Sequence, residues 1–128
     1  MTGTVRLVAS DVDGTLVTHG GVLPPGRLEA VAAVRAAGIP MILATGRLWS
    51  SIAGLGERLG LDGPHVSCNG SAVVGTDGVF HALELVDTDL ADALADELHR
   101  RRIPHAVYLE DGSLVTDAVV PDHDVLAL

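Results

Sequence analysis

Lysine is absent from this 128-residue sequence, and all eight basic residues are arginine. Cysteine occurs once, as Cys68, which excludes an internal disulfide and fits a reducing cytoplasm. Trp, Tyr and Phe occur once each, so any core must be built from aliphatic side chains. Long apolar runs are missing too. The longest stretch without Asp, Glu or Arg is residues 63–76, only 14 residues, with Asn, Ser and Gly inside it. A membrane-spanning helix needs about 20 apolar residues. The N-terminal segment reaches Asp11 before any signal-like apolar segment develops. Finally, there is no basic surface. Net charge is −9: residues 1–81 carry five Arg against six acids, and residues 82–128 carry three against eleven. Neither half suits nucleic acid. What is present, 48% hydrophobic residues and a mean hydropathy of +0.39, suffices for one modest folded domain, or one plus part of another.

Short apolar runs alternate with helical periodicity. Residues 5–10 read as a buried strand ending in a turn signal, and 39–44 as a second such strand closed by "TGR". Between them, Leu28, Val31 and Val34 recur at helical spacing within 25–37, and Gly38 supplies the stop. Residues 48–59 predict a helix that Gly54 and Gly56 weaken. "HVSCNG" (65–70) predicts a third strand. Continuously apolar strands alternating with helices imply an α/β fold with a Rossmann-like parallel sheet covered on both faces. Beyond Asn69 the pattern changes. Residues 72–82 predict a hairpin turning at Asp77 and Gly78, and 105–117 a second one turning at Asp111 and Gly112. Residues 87–102 predict an amphipathic helix with a Leu90, Leu94, Leu98 stripe, acids at its start and Arg100, Arg101 and Arg102 at its end. The charge shift and the change of strand type place a boundary near residue 82, giving units 1–81 and 82–128.

In a parallel α/β sheet, ligands bind beyond the carboxyl ends of the strands. Three polar clusters fall there: Asp11 and Asp13 after the first strand, Thr45, Gly46 and Arg47 after the second, and Asn69 with Gly70 after the third. Two carboxylates one residue apart repel each other, so the pair needs a chemical reason. Covalent catalysis supplies one: one carboxylate attacks as nucleophile, and the other gives and takes a proton at the leaving and attacking oxygens. A phosphate monoester would carry the same sign of charge as the pair, which calls for Mg²⁺ between them. Gly14 would let backbone N–H groups approach phosphate oxygens. Thr45 offers a hydroxyl, and a helix starting at Gly46 would offer its N–H groups to an anion. Arg47 would then sit at the positive end of that helix, where a cation is disfavoured and a functional reason is implied.

These residues carry a resemblance. "DVDGTLV" (11–17), "LATGR" (43–47) and "CNG" (68–70) resemble the haloacid-dehalogenase-like phosphohydrolases, in the Cof-type branch (class IIB) with an α/β cap after the third core strand. The resemblance implies an incomplete core over 1–81 and a partial α+β cap over 82–128. It also implies a phosphatase acting on a small phosphorylated metabolite of sugar-phosphate type through an aspartyl phosphate. In that reading Asp11 is the nucleophile, Asp13 the general acid/base, and Mg²⁺ is held by the Asp11 carboxylate and the Asp13 backbone carbonyl. Gly14, Thr45, Gly46, Arg47 and Asn69 surround the phosphate.

The family pattern continues with a phosphate-clamping lysine and a G-D-x-x-x-D segment that completes the metal site. This sequence has no lysine and no Gly-Asp step. These absences imply an incomplete chain, weak or inactive as a phosphatase on its own. A phosphomutase of the same cap type and a degenerate, non-catalytic phosphate- or metal-binding fragment stand as alternatives. These residues have plainer readings as well. Asp11 and Asp13 could mark an Asp-Gly turn; an EF-hand fails because Gly14 and the absent twelfth-position glutamate do not fit its loop. Thr45 could cap a helix, and Arg47 could form a surface ion pair. Cys68 reads as a small buried hydrophobe. The six histidines lack ligand spacing and read as surface residues. The acid run 87–97 reads as a solvated helix face.

Overall fold

A computed structural model describes residues 4–111 and 113–116. Its elements run β1 (Val8–Ser10), α1 (Pro25–Ala36), β2 (Met41–Leu43), α2 (Trp49–Leu59), β3 (His65–Ser67), β4 (Ala72–Val74), β5 (Phe80–Leu83), α3 (Thr88–Arg100), β6 (Ala106–Tyr108) and β7 (Leu114–Thr116). They fall into two compact units, the first ending at Leu83 and the second beginning at Glu84.

In the first unit β1 and β2 are parallel, with Val8 opposite Met41 and Ser10 opposite Leu43, and α1 forms the crossover. Pro25 opens α1 at a position where no N–H is needed, and Gly38 at φ 70° turns the chain out of it. The parallel pattern then stops short of expectation. β3 joins β2 through a single parallel bridge, Ala44 to Val66, and continues as the first strand of an antiparallel set with β4 and β5. The β4–β5 turn is the anticipated one: Gly78 lies at φ 80° and Asp77 Oδ1 accepts the Val79 N–H at 3.0 Å. The core is aliphatic, as composition requires. Val12, Leu16, Val17, Val31, Met41, Leu43, Ile52, Leu59 and Leu61 form it, with Val8, Leu23, Val34, Trp49 and Leu55 packed against them. β1 is less buried than its apolar run suggested, with Ala9 exposed and Leu7 half exposed. Its second edge pairs with no strand among the described residues.

One histidine contradicts the surface reading. His65 is fully buried. Its Nδ1 accepts the Leu43 N–H at 3.1 Å, and its ring stacks on Trp49 with centroids 5.3 Å apart. Gly56, which looked like a defect in α2, makes room for this ring: a Cβ there would come within 3.1 Å of Nε2. The alternation that buries His65 and Ser67 while leaving Val66 partly exposed decides the placement, whatever the polarity of the side chains.

In the second unit Asp87 caps α3, its carboxylate accepting the N–H groups of Asp89 and Leu90. Glu97 pairs with Arg100 and Arg101 one turn on. β6 and β7 form the second hairpin, with Val107 opposite Val115. Asp111 Oδ1 accepts the Ser113 N–H at 2.8 Å, and bonding to Ser113 holds the Asp111 carboxyl below the usual carboxylate range. Gly112 and Asp117, part of the expected hairpin, lie outside the described residues. Of the expected leucine stripe, Leu98 is half-buried, while Leu90 and Leu94 are 60% and 54% exposed.

Two outcomes follow from these contacts. Asp87→Ala removes the cap and is expected to cost about 1 kcal/mol, read as faster hydrogen exchange confined to the first turn of α3. Burial lowers the His65 pKa, so between that value and the unfolded value of about 6.5 only the unfolded chain is protonated. Stability is therefore full above about pH 6.5 and declines on acidification; urea midpoints from pH 8 to 5 are expected to show this decline, and His65→Leu to flatten it.

Candidate active site

The strand ends bring the three polar clusters to one edge of the first unit. Val12 is fully buried while Asp11 and Asp13 are exposed, so side-chain alternation presents both carboxylates on the side away from the core. The chain then curls back: the N–H groups of Leu16 and Val17 both donate to the Val12 carbonyl at 2.9 Å. Gly14 sits in this curl at φ 76°. A Cβ there would make only ordinary contact with His19, so glycine is needed for its conformation rather than for space.

Asp11 and Asp13 differ in their partners. Thr15 Oγ1 donates to Asp11 Oδ2 at 3.0 Å, and Asp11 Oδ1 makes no hydrogen bond among the described residues. Asp13 is engaged at both oxygens by Arg47, with Nε to Oδ2 at 2.8 Å and Nη2 to Oδ1 at 2.5 Å. This bidentate fork raises the Arg47 pKa, chiefly through the Asp13 hydrogen bond, with burial opposing it and the Asp13 charge adding a smaller lift. The ion-pair reading of Arg47 is thus realised, and its partner is the other half of the carboxylate pair. Thr15 was not among the anticipated site residues, although its place four residues after Asp11 is what brings its hydroxyl to the carboxylate.

The second and third clusters are sewn together by the backbone. Thr45 N–H donates to the Val66 carbonyl (3.1 Å), Asn69 N–H to the Thr45 carbonyl (3.1 Å), and Cys68 N–H to the Arg47 carbonyl (3.0 Å). Cys68 and Asn69 both have left-handed backbones, φ 50° and 54°, and Cys68 is half-buried rather than fully buried. Two successive non-glycine residues in that region hold strain of roughly 1–3 kcal/mol each. Gly46 lies against Asn69 so closely that a Cβ would sit 2.7 Å from Asn69 Oδ1.

The helix predicted over 48–59 spans Trp49–Leu59, so the helix N-terminus that would have offered N–H groups to an anion at Gly46 is not there. The buried Thr45 uses Oγ1 to accept the Arg47 N–H at 3.2 Å, and the Arg47 carbonyl is taken by Cys68. These bonds hold 45–48 as a loop, so Thr45 caps a turn rather than a helix. Arg47 consequently lies before the helix and escapes its positive end.

Mg²⁺ favours hard oxygen ligands and is commonly held by one or two carboxylates, with water and substrate phosphate completing its shell. The Asp11 carboxylate and the Asp13 carbonyl fit that chemistry. No group of three His, Cys, Asp or Glu side chains able to hold a metal occurs among the described residues.

Residues 8–125 match the family model of the haloacid dehalogenase-like hydrolases, and the chain belongs to that family. It is 34% identical over 114 residues to pyridoxal phosphate phosphatase YbhA of Escherichia coli, covering 85% of this chain and 40% of that protein. It is 30% identical over 110 residues to 5-amino-6-(5-phospho-D-ribitylamino)uracil phosphatase YwtE of Bacillus subtilis, covering 86% and 38%. The subclass IIB sugar phosphatase BT4131 shares the fold, with a TM-score of 0.76 at 22% identity over 94% of this chain and 46% of that one. The chain therefore spans about 40% of the length of the two phosphatase relatives and under half of BT4131, and its fold is the α/β fold of the family in part. No helix among the described residues is long and apolar enough to cross a membrane.

Gly46→Ala is expected to push the Asn69 side chain aside. Its side-chain amide resonances should shift, while the urea midpoint moves by the equivalent of about 1 kcal/mol or less, because a mobile amide rather than backbone gives way.

Proposed function

We propose that this chain carries the nucleophile and part of the phosphate site of a Mg²⁺-dependent phosphohydrolase acting on small phosphorylated metabolites. The observation that carries this is the differing state of the two carboxylates: among the described residues Asp11 is bonded at one oxygen, by Thr15, while Asp13 is gripped at both by Arg47. A nucleophile needs a free lone pair; a general acid/base needs to be held in position beside the reacting oxygens.

In this reading Asp11 Oδ1 attacks phosphorus and the ester oxygen leaves, taking the proton of a protonated Asp13. Water then attacks the aspartyl phosphate, the bond between Asp11 and phosphorus breaks to release phosphate and restore the carboxylate, and Asp13 takes the proton of the water. Thr15 orients Asp11. Thr45, Gly46 and Asn69 line the phosphoryl pocket, Gly14 sets the curl that carries backbone N–H groups past it, and Arg47 divides its donors between Asp13 and the incoming anion. Mg²⁺ held by the Asp11 carboxylate and the Asp13 carbonyl would offset the charge that a phosphate and two carboxylates share. Residues 1–81 form part of the core and 82–128 begin a cap, the element on which substrate choice would rest. A phosphorylated small molecule as substrate is supported by the relatives named for pyridoxal phosphate and a ribityl phosphate.

With p-nitrophenyl phosphate the chain is expected to turn over slowly, only with Mg²⁺, and to lose activity on EDTA treatment. Asp11→Asn should reduce the rate at least about 100-fold. Turnover undiminished by that substitution removes Asp11 from the mechanism.

A further inference from the structure

We propose that His65 is a positioning residue for the loop at 44–48: its imidazole stands in for a missing strand carbonyl and sets where Thr45 and Gly46 meet Asn69. The proposal rests on reading those three residues as a phosphate site.

Facing β3, β2 and the loop after it direct two N–H groups toward their neighbour. The Thr45 N–H finds the Val66 carbonyl. The Leu43 N–H finds no carbonyl, because the β2–β3 ladder is reduced to the single Ala44–Val66 bridge; it donates to His65 Nδ1 at 3.1 Å instead. Leu43 is fully buried, and a buried N–H without an acceptor is costly. An apolar side chain at 65 would pack as well but leave that N–H unpaired.

The ring is held on both sides of the loop. Trp49, which stacks on it, is the first residue of α2, and Leu43 is the last of β2. Gly56 closes behind Nε2. Because Nδ1 accepts, the ring proton lies on Nε2, which is buried with no partner among the described residues. A polar atom left buried at that cost implies that the other nitrogen is what matters.

Protonation would put an N–H at Nδ1 facing the Leu43 N–H, and the acceptor would be lost. Among the described residues no charged group pairs with the ring. β2 has no titratable residue, Trp49 and Gly56 carry none to the ring, and Glu57 and Arg58 of α2 are exposed. Burial is the one cause of its lowered pKa. Acidification should therefore loosen the loop.

The test compares wild type, His65→Leu and His65→Asn, whose Oδ1 can replace Nδ1 as acceptor. Two readouts are taken: amide shifts of Gly46 and Asn69, and titration with inorganic phosphate in the presence of Mg²⁺. His65→Leu is expected to shift both amides, to speed exchange at Leu43 and to weaken phosphate about tenfold, the order of one lost hydrogen bond. His65→Asn should restore affinity to within about threefold of wild type. In wild type, the Gly46 and Asn69 amides should follow the His65 ring titration. Unmoved amides in His65→Leu, an equal defect in His65→Asn, or loop amides that ignore the ring titration would each overturn the proposal. If His65→Leu fails to fold, His65→Asn and the wild-type titration decide it. If wild type binds no phosphate, the phosphate reading fails, and the amide shifts alone decide the role of His65.

Discussion

Three backbone hydrogen bonds between the loop after β2 and the turn after β3 hold the site in register: Thr45 to Val66, Asn69 to Thr45, and Cys68 to Arg47. Everything polar at this edge hangs on them. They keep residues 45–48 out of α2, which frees the Arg47 side chain to reach Asp13 across 34 positions of sequence. They bring the Asn69 amide onto a glycine that alone tolerates it. They also explain why Cys68 and Asn69 accept left-handed backbones. The strain is offset by carbonyls that would otherwise lack donors.

Much of this was legible because it is local. Helices at 25–36, 49–59 and 88–100 follow from spacing and from punctuation by proline, glycine and aspartate, and each lies within a few residues of expectation. The hairpin at Asp77 and Gly78 follows from turn chemistry. The convergence of Asp11, Asp13, Thr45, Gly46, Arg47 and Asn69 follows from a topological rule about strand ends. Family membership, carried by the same motifs, stands on the match over residues 8–125.

What escaped was non-local. α2 begins where the 48–59 reading put it, but no helix N-terminus forms at Gly46 for an anion, because the Arg47 N–H is taken by Thr45 and its C=O by Cys68. A lone histidine between Pro64 and Val66 gives no sign of the Leu43 N–H it serves; only alternation along a buried strand hinted that it faces inward. Gly56 read as a weakness until the ring beside it was known. Glycine thus has three different duties here: conformation at Gly14, approach to an amide at Gly46, and room for an imidazole at Gly56.

The Arg47–Asp13 fork has a kinetic side as well. At rest it cancels one of the two carboxylate charges, so the mouth of the site carries one unbalanced negative charge where its sequence shows two. An anion diffusing toward it still approaches a chain of net charge −9, and long-range repulsion slows the encounter. Ionic strength screens that repulsion over a Debye length of about 8–10 Å at physiological salt. It weakens the bidentate contact far less, because the two charges touch. Added salt would thus quicken arrival while leaving the fork to govern what happens on contact.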